Sequence, residues 1–385
     1  MMRVALVHYW LVGMRGGERV LETFCDIFPQ ADIFTLVVDR SKLSEKLLRH
    51  DIKTSFLQKL GGRKHYQKML PLMPFALESL DLTGYDLVIS SEAGPAKGII
   101  TRPDAVHICY CHSPMRYIWD LYPQYMAEAG FLARSMLALT APALRQWDVT
   151  TAHRVDHFIT NSDYVAKRVK KFYRRESTVI HPPVNISRFQ ISPGPKDYYL
   201  CAGQITPYKR IELAVEACTR LSLPLVVIGD GATEKLKRLA GPTVRFLGSV
   251  SDVEMENYFA GCRALLYPGV EDFGIVPLEV MASGRPVIAF ARGGALETVV
   301  DKVTGMFFHE QTVEALVAAL EEFEKSCAQF RPFEIRAHAM KFDSGRFEKE
   351  LRQYLAHVPE LSLSAEVSGH EDRQVPTTKK EQHPV

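Results

Sequence analysis

Short β-branched runs alternate with longer amphipathic stretches from the first residues, halt at a proline-rich break, and then begin again. Val4 to His8, Asp32 to Val38, Asp86 to Ser90, Ala105 to Tyr110 and His157 to Thr160 have the composition of strands. Between them, Glu18 to Phe28 and Tyr164 to Tyr173 place apolar residues at helical spacing. The break runs through Pro182-Pro183 and Ser192-Pro193-Gly194-Pro195. Beyond it Tyr198 to Ala202, Pro224 to Ile228, Val244 to Leu247, Ala264 to Tyr267 and Pro286 to Ala289 supply a second set of strands, with helical patterns at Ile211 to Leu221 and Thr312 to Phe323. Strands separated by helices pair in parallel and are covered on both faces. The pattern therefore predicts an α/β protein of two doubly wound domains, 1–185 and 196–340, with a ligand held where their carboxyl ends face each other. At 385 residues each can bury a core of its own. A last helical pattern, Ser344 to His357 within 341–358, is expected to pack back on the first domain; 359–385, polar and proline-containing, reads as a disordered tail.

Charge narrows the function. Forty-seven basic against 45 acidic side chains leave a net +2, which disfavours a nucleic-acid binder. The seven cysteines are odd in number and set in apolar runs, as for buried thiols of a reducing cytoplasm. Cys109-Tyr110-Cys111-His112 lacks the CxxC spacing of a metal site and has no second pair. Met1 to Trp10 leads straight into a strand pattern, so no signal peptide is read, and no apolar run approaches the roughly 18 residues of a membrane span. A soluble or peripheral protein is expected.

The run Tyr267-Pro-Gly-Val-Glu271-Asp-Phe-Gly-Ile-Val-Pro-Leu-Glu279 carries the strongest chemistry. A strand ends near Tyr267, a loop bears Glu271, and Pro277 fits the first turn of a helix. The amides of Phe273, Gly274 and Ile275 then point out of a helix N-terminus, which attracts phosphate or sugar oxygens. Val276 follows in the same turn. Glu279 can accept bonds from the two adjacent hydroxyls of a ribose; the alternative is that both glutamates are solvated.

Glu271 and Glu279, separated by seven residues, resemble the paired glutamates of the family 4 retaining glycosyltransferases, and the likeness extends over nearly the whole chain. The resemblance implies the GT-B fold, two facing Rossmann-like domains with a deep interdomain cleft. It implies that Glu271 meets hydroxyls of the transferred sugar, that Glu279 binds the ribose, and that the backbone at Gly274 and Ile275 approaches sugar and phosphates. Gly13-Met-Arg-Gly16-Gly17-Glu18 is similar to the family's N-terminal glycine loop, where a side chain would block close approach; a plain strand-to-helix turn would use the same residues. Lys209, in Gly203-Gln204-Ile-Thr-Pro-Tyr-Lys209-Arg210, matches the diphosphate lysine, with Arg210 as a weaker helper. The family's arginine is replaced by Gln204, which cannot form charge-assisted fork bonds.

Taken alone, His112 at a strand end reads as structural; in the family a histidine here lies beside the transferred sugar. Its continuation through Arg116, Tyr117, Trp119 and Asp120 looks like a subgroup of bacterial mannosyltransferases acting on lipid-linked saccharides in O-antigen and exopolysaccharide synthesis. That implies a hexose donor, GDP-mannose. Gly229-Asp230-Gly231 and Phe246-Leu247-Gly248 fall where the nucleoside is expected, Gly293-Gly294 and Glu297 near the phosphates. Asn161-Ser162 either lies in the cleft or caps the next helix. No Asp-x-Asp occurs, so transfer is expected to need no metal or other cofactor, phosphate charge being balanced by Lys209, amides and helix ends.

Arg40 to Lys68 holds nine basic residues and two acids, then leads into Met69-Leu-Pro-Leu-Met-Pro-Phe-Ala-Leu77. That pattern suits either an anionic membrane, giving a peripheral place at the cytoplasmic face of the inner membrane, or a solvated helix face. Competing readings are a sugar-nucleotide epimerase on the same paired domains and a non-catalytic nucleotide-binding module. A phosphorylase would need a longer chain, and an NAD enzyme the absent GxGxxG fingerprint.

Overall fold

The computed structural model describes residues 2–192 and 194–361. The tail from 362 onward lies outside them. Two wholly parallel sheets form, as βαβ connectivity requires. The first contains β1 (Val4–His8), β2 (Asp32–Thr35), β3 (Ile52–Thr54), β4 (Leu87–Glu92), β5 (Val106–Cys111), β6 (His157–Thr160) and β7 (Thr178–Val179), in the order 3-2-1-4-5-6-7. The second contains β8 (Tyr199–Ala202), β9 (Leu225–Ile228), β10 (Val244–Gly248), β11 (Leu265–Tyr267), β12 (Val287–Phe290) and β13 (Gly305–Phe308), in the order 10-9-8-11-12-13.

Three of these strands were not expected. Ile52–Thr54 lies in the basic run, Thr178–Val179 is only two residues long, and Gly305–Phe308 begins on a glycine. A Cβ at Gly305 would lie 2.0 Å from the Val287 carbonyl oxygen, so close strand approach selects glycine there. Conversely, the strand ends at Thr35; Leu36 and Val37 fold into the core beside Leu57, and Val38 makes an isolated parallel bridge to Leu11.

Each sheet reverses strand order once, at β1/β4 and at β8/β11, which opens a crevice at the carboxyl edge. The loops leaving β1, β8 and β11 are the three glycine-bearing segments singled out in the sequence. Chain crossings at 180–186 and 340–344 join the domains. The helix Ser344–Ala356 then returns to the first domain and packs Phe347 on Phe24 and Tyr110. Cys109 and Cys111 share one face of β5 and bury their thiols against Val165 and Val169.

The long helix Phe131–Thr151 escaped the periodicity, because apolar residues lie on opposite sides of it and Pro142 sits inside. Its inner face bears Ala141, Leu144, Asp148 and Thr151, all buried. Asp148 joins a charged cluster beneath the first sheet's carboxyl edge. The Lys97 ammonium pairs with Asp148 and lies 3.2 Å from Glu92, while Trp119 Nε1 (2.7 Å) and the Tyr173 hydroxyl (2.9 Å) donate to Asp148. All three charges are fully buried, and removing the cation would strand two carboxylates. Lys97→Met is expected to lower unfolding stability by about 3–5 kcal/mol in denaturant titration; a loss under about 1 kcal/mol would mean the cluster is solvated.

Candidate active site

The loop after β1 turns into the helix Gly16–Ile27, and the loop after β11 into the helix Ile275–Ala282. Their N-termini meet across the cleft, since a Cβ on Gly16 would stand 3.1 Å from Ile275 Cδ1. Two helix ends sum their unpaired amides and partial positive charges at one point, an arrangement suited to an anion. Gly17 is tightly enclosed: a Cβ would come within 3.2 Å of the Tyr9 hydroxyl and 3.3 Å of His8 Cε1. Gly274 turns the second loop into its helix at φ +102°, a conformation that other residues adopt only under strain.

Around this point the sequence-selected residues divide. Lys209 reaches Glu271 at 3.2 Å, both largely buried; burial disfavours the ammonium, but Glu271 outweighs it and raises the lysine pKa. His112 Nε2 lies 2.9 Å from Ser91 Oγ, and Ser91 Oγ 3.2 Å from His8 Nδ1. Beyond them His8 Nε2 is 3.9 Å from Glu18 Oε1. Burial lowers the His112 pKa to about 4, so the imidazole is neutral at pH 7 and serves as a hydrogen-bonding group. The same burial, partly opposed by bonds from its own backbone and by Arg15, raises Glu18 to about 7.

Glu279 faces the cleft from the second helix. Burial raises its carboxyl to about 7 despite Arg19 and Arg188 nearby. Gln204 is exposed at the lip. Arg210 adopts a left-handed backbone and turns to Glu212 and to Gln311 (3.2 Å), leaving Lys209 as the cation on Glu271. Gly229 and Gly231 pack against the backbone of Gly203 and Ile205, and Asp230 accepts a bond from Ser249. Phe246 and Leu247 lie at a register shift of β10 against the core. Phe273 is stacked on His181 (5.2 Å) in the core, leaving only its main chain at the loop, while Val276 is half-buried in the first turn of the helix.

Two residues act across the domains in ways the sequence did not reveal. Asp272, next to Glu271, pairs with Arg116 (2.6 Å) and Arg168 (2.9 Å) of the first domain. Burial pushes its carboxyl up, and the two guanidinium groups more than offset this, leaving it below the ordinary value. Glu297 accepts bonds from the Asp163 (2.8 Å) and Tyr164 (3.0 Å) amides and pairs with His181, so it caps a helix of the opposite domain. Ser162 fills both roles considered for it: its Oγ accepts from the Val165 amide (3.0 Å) and donates to the Asp272 carbonyl (2.6 Å). One signal was present in the sequence, since Arg168 interrupts the apolar stripe of the helix Asp163–Tyr173 between Val165 and Val169.

Paired doubly wound domains closed over a cleft of glycine loops and helix ends define the GT-B class. Residues 14–188 match the family model Glycosyltransferase Family 4, and residues 185–336 match Glycosyl transferases group 1. The two matches adjoin and run through both domains, and the chain belongs to these glycosyltransferases. The Alpha-1,3/1,6-mannosyltransferase ALG2 of Kluyveromyces lactis is 28% identical over 275 residues, 56% of this chain and 52% of that protein. A D-inositol 3-phosphate glycosyltransferase of Streptomyces avermitilis is 28% identical over 204 residues, 44% of each chain. The chain thus spans about half the length of these curated relatives. In three dimensions it resembles the sucrose-phosphate synthase of Thermosynechococcus elongatus (TM-score 0.72, 17% identity, 95% of this chain and 100% of that one). It also resembles Anabaena Alr3699/HepE in complex with UDP-glucose (TM-score 0.69, 16% identity, 93% and 100%). At such identities the likeness establishes the fold.

The raised Glu279 makes stability depend on pH in a defined direction. Its folded pKa exceeds the unfolded value of 4.5, so the stability linked to it is complete below 4.5 and is lost as pH rises through about 7. Glu279→Gln should therefore be more stable than the parent at pH 8, by about 1–3 kcal/mol, and converge with it near pH 5. A gap that does not change with pH contradicts the assignment.

Proposed function

We propose that the chain is a retaining glycosyltransferase that moves a hexose, mannose from GDP-mannose, onto a lipid-linked or saccharide acceptor in O-antigen or exopolysaccharide synthesis. The observation that carries the donor site is the meeting of two helix N-termini beside Lys209 and Glu271, with His112 on the facing wall. Mannose is supported by the names of the ALG2 relatives and by Tyr110 to Asp120, which resembles bacterial mannosyltransferases.

In this reading the donor's diphosphate lies between the helix ends, and Lys209 leaves Glu271 to meet it. Glu279 accepts the ribose hydroxyls once ionised, which ties nucleotide affinity to pH near 7. Glu271, released, accepts from hydroxyls of the sugar, and neutral His112 hydrogen-bonds it from the other side. The bond from the anomeric carbon to the β-phosphate oxygen breaks as the acceptor oxygen attacks on the same face. The acceptor proton passes to the departing phosphate, so no carboxylate nucleophile is needed. Fixed amides, helix ends and Lys209 stabilise the charge growing on the leaving group.

With GDP-mannose, Lys209→Ala is expected to reduce kcat/KM about 100-fold or more, and EDTA to leave the parent's rate unchanged. Full turnover by the variant would remove Lys209 from the mechanism, and loss of rate in EDTA would reintroduce a metal. Transfer from UDP-glucose in preference to GDP-mannose would redirect the donor assignment.

A peripheral place at the cytoplasmic face of the membrane is supported by surface chemistry, although part of the basic run serves the fold. Lys46 pairs with Asp26, Lys53 with Asp32, and Lys42 and Arg63 with Asp39, while Met73, Ala76 and Leu77 are core. Lys59, Lys64 and Lys68 carry no ion pair among the described residues, and Phe56, Leu60, Leu72 and Phe75 are exposed around them. Phe131, Leu132 and Leu139 are each 82% exposed, the two leucines opposite the buried face of their helix. Leu70 packs against both neighbouring core clusters. Among the described residues no helix is long and apolar enough to cross a membrane. Co-sedimentation with anionic vesicles is expected and should fall several-fold for the double variant Leu132→Glu/Leu139→Glu; undiminished binding would clear this surface of the role.

A further inference from the structure

Where the family resemblance leads one to expect an arginine after Gly203, this chain has Gln204, and the side chain that follows Lys209 is turned to Glu212 and Gln311. A single lysine would then face a diphosphate of two or more negative charges. The first domain supplies another cation beside the segment that carries Lys209. Arg116 leaves the loop after β5, crosses the cleft, and sets one nitrogen 2.6 Å from Asp272 Oδ1. Its guanidinium carbon lies 5.2 Å from the centre of the Tyr208 ring, and Tyr208 is bonded in sequence to Lys209. Lys209 holds Glu271 and Arg116 holds Asp272, so the two cations flank one acidic dipeptide at the mouth of the helix Ile275–Ala282.

Asp272 has a second arginine partner. Arg168 also lies 2.9 Å from it, and is further fixed by Ser113 (2.8 Å), the Pro114 carbonyl (3.3 Å) and Asp120 (2.6 Å). Arg168 is thus a structural strut, with both terminal nitrogens bonded and its side chain 8% exposed. Arg116 differs. Its side chain is 16% exposed, and a guanidinium has five N–H donors in a planar fork suited to phosphate. Burial disfavours its charge, but Asp272 and Glu271 outweigh that and keep it protonated.

We propose that Arg116 is the second cation of the diphosphate site, reaching in from the opposite domain to take the place that Gln204 leaves empty. The proposal rests on the donor-site reading above. It also fixes when the cation acts, because Arg116 reaches the phosphates only with the domains closed, as they are here. A bound diphosphate would then hold both domains by charge, through Lys209 on one side and Arg116 on the other.

The test is calorimetric titration of the full chain with GDP, UDP and ADP and with the matching monophosphates, on the parent and on Arg116→Ala, Arg116→Lys and Arg168→Ala. Arg116→Ala is expected to weaken the preferred diphosphate roughly 10- to 100-fold while moving its monophosphate less than about 3-fold. Arg116→Lys should lie between, retaining charge without the fork, and gives the same readout if the alanine variant fails to fold. Arg168→Ala should lower the unfolding temperature and leave the ratio of the two affinities as in the parent. Equal losses of diphosphate and monophosphate binding in the Arg116 variants, or no loss, overturn the proposal. A parent that binds no diphosphate overturns the donor reading itself, and the inference with it, a failure visible before any variant is made.

Discussion

Asp272 is a carboxylate taken out of water, and two arginines of the opposite domain keep it ionised. An unpaired buried charge would be strongly destabilising, so opening the cleft at this point requires water to replace both guanidinium groups. The neighbouring residue on one side is Glu271, paired with Lys209; on the other, Phe273 is stacked into the aromatic joint with His181 and Phe342. The geometry of the loop after β11 and the closure of the domains therefore share the same few bonds. Glu297 repeats the device a short distance away, gripping the N-terminus of the helix Asp163–Tyr173 and His181.

This arrangement gives the helix ends their value. An amide at a helix terminus is a weak attractor in water and a stronger one where water is excluded. Here Gly16 and Ile275 belong to different domains, and the ion pairs at Asp272 are among the bonds that hold the walls together. The loops that carry them leave β1 and β11 at the two points where strand order reverses, so the location follows from topology.

Much of this was legible in the chain. Alternation of strand and helix patterns, restarting after Pro182-Pro183, foretold both sheets, because buried parallel strands are written as compact β-branched runs. Glu271, Lys209, Gly16 and Gly17 were singled out because each sits where a strand gives way to a loop or helix, whereas Glu279, inside the helix Ile275–Ala282, and His112, which alone reads as structural, drew their proposed roles from the family resemblance. Contacts between the domains were less legible. Nothing adjacent to Asp272 in sequence says that it will meet Arg116 and Arg168, more than 100 residues earlier, and Glu297 looks like any acid in a first helical turn. The helix Phe131–Thr151 was hidden for another reason: its outer leucines face away from the protein, so its pattern is not that of a one-sided amphipathic helix.

The central claim is that the two helix ends, Lys209 and Glu279 form one site for a nucleoside diphosphate. A crystal structure of the protein soaked or grown with GDP tests it most directly. The account predicts the diphosphate between the Gly16–Gly17 turn, the N-terminus of Ile275–Ala282 and Lys209, with the ribose on Glu279. A diphosphate held instead in the cavity lined by Gln124, Glu128, Thr233 and Lys235, away from Lys209 and both helix ends, would contradict it.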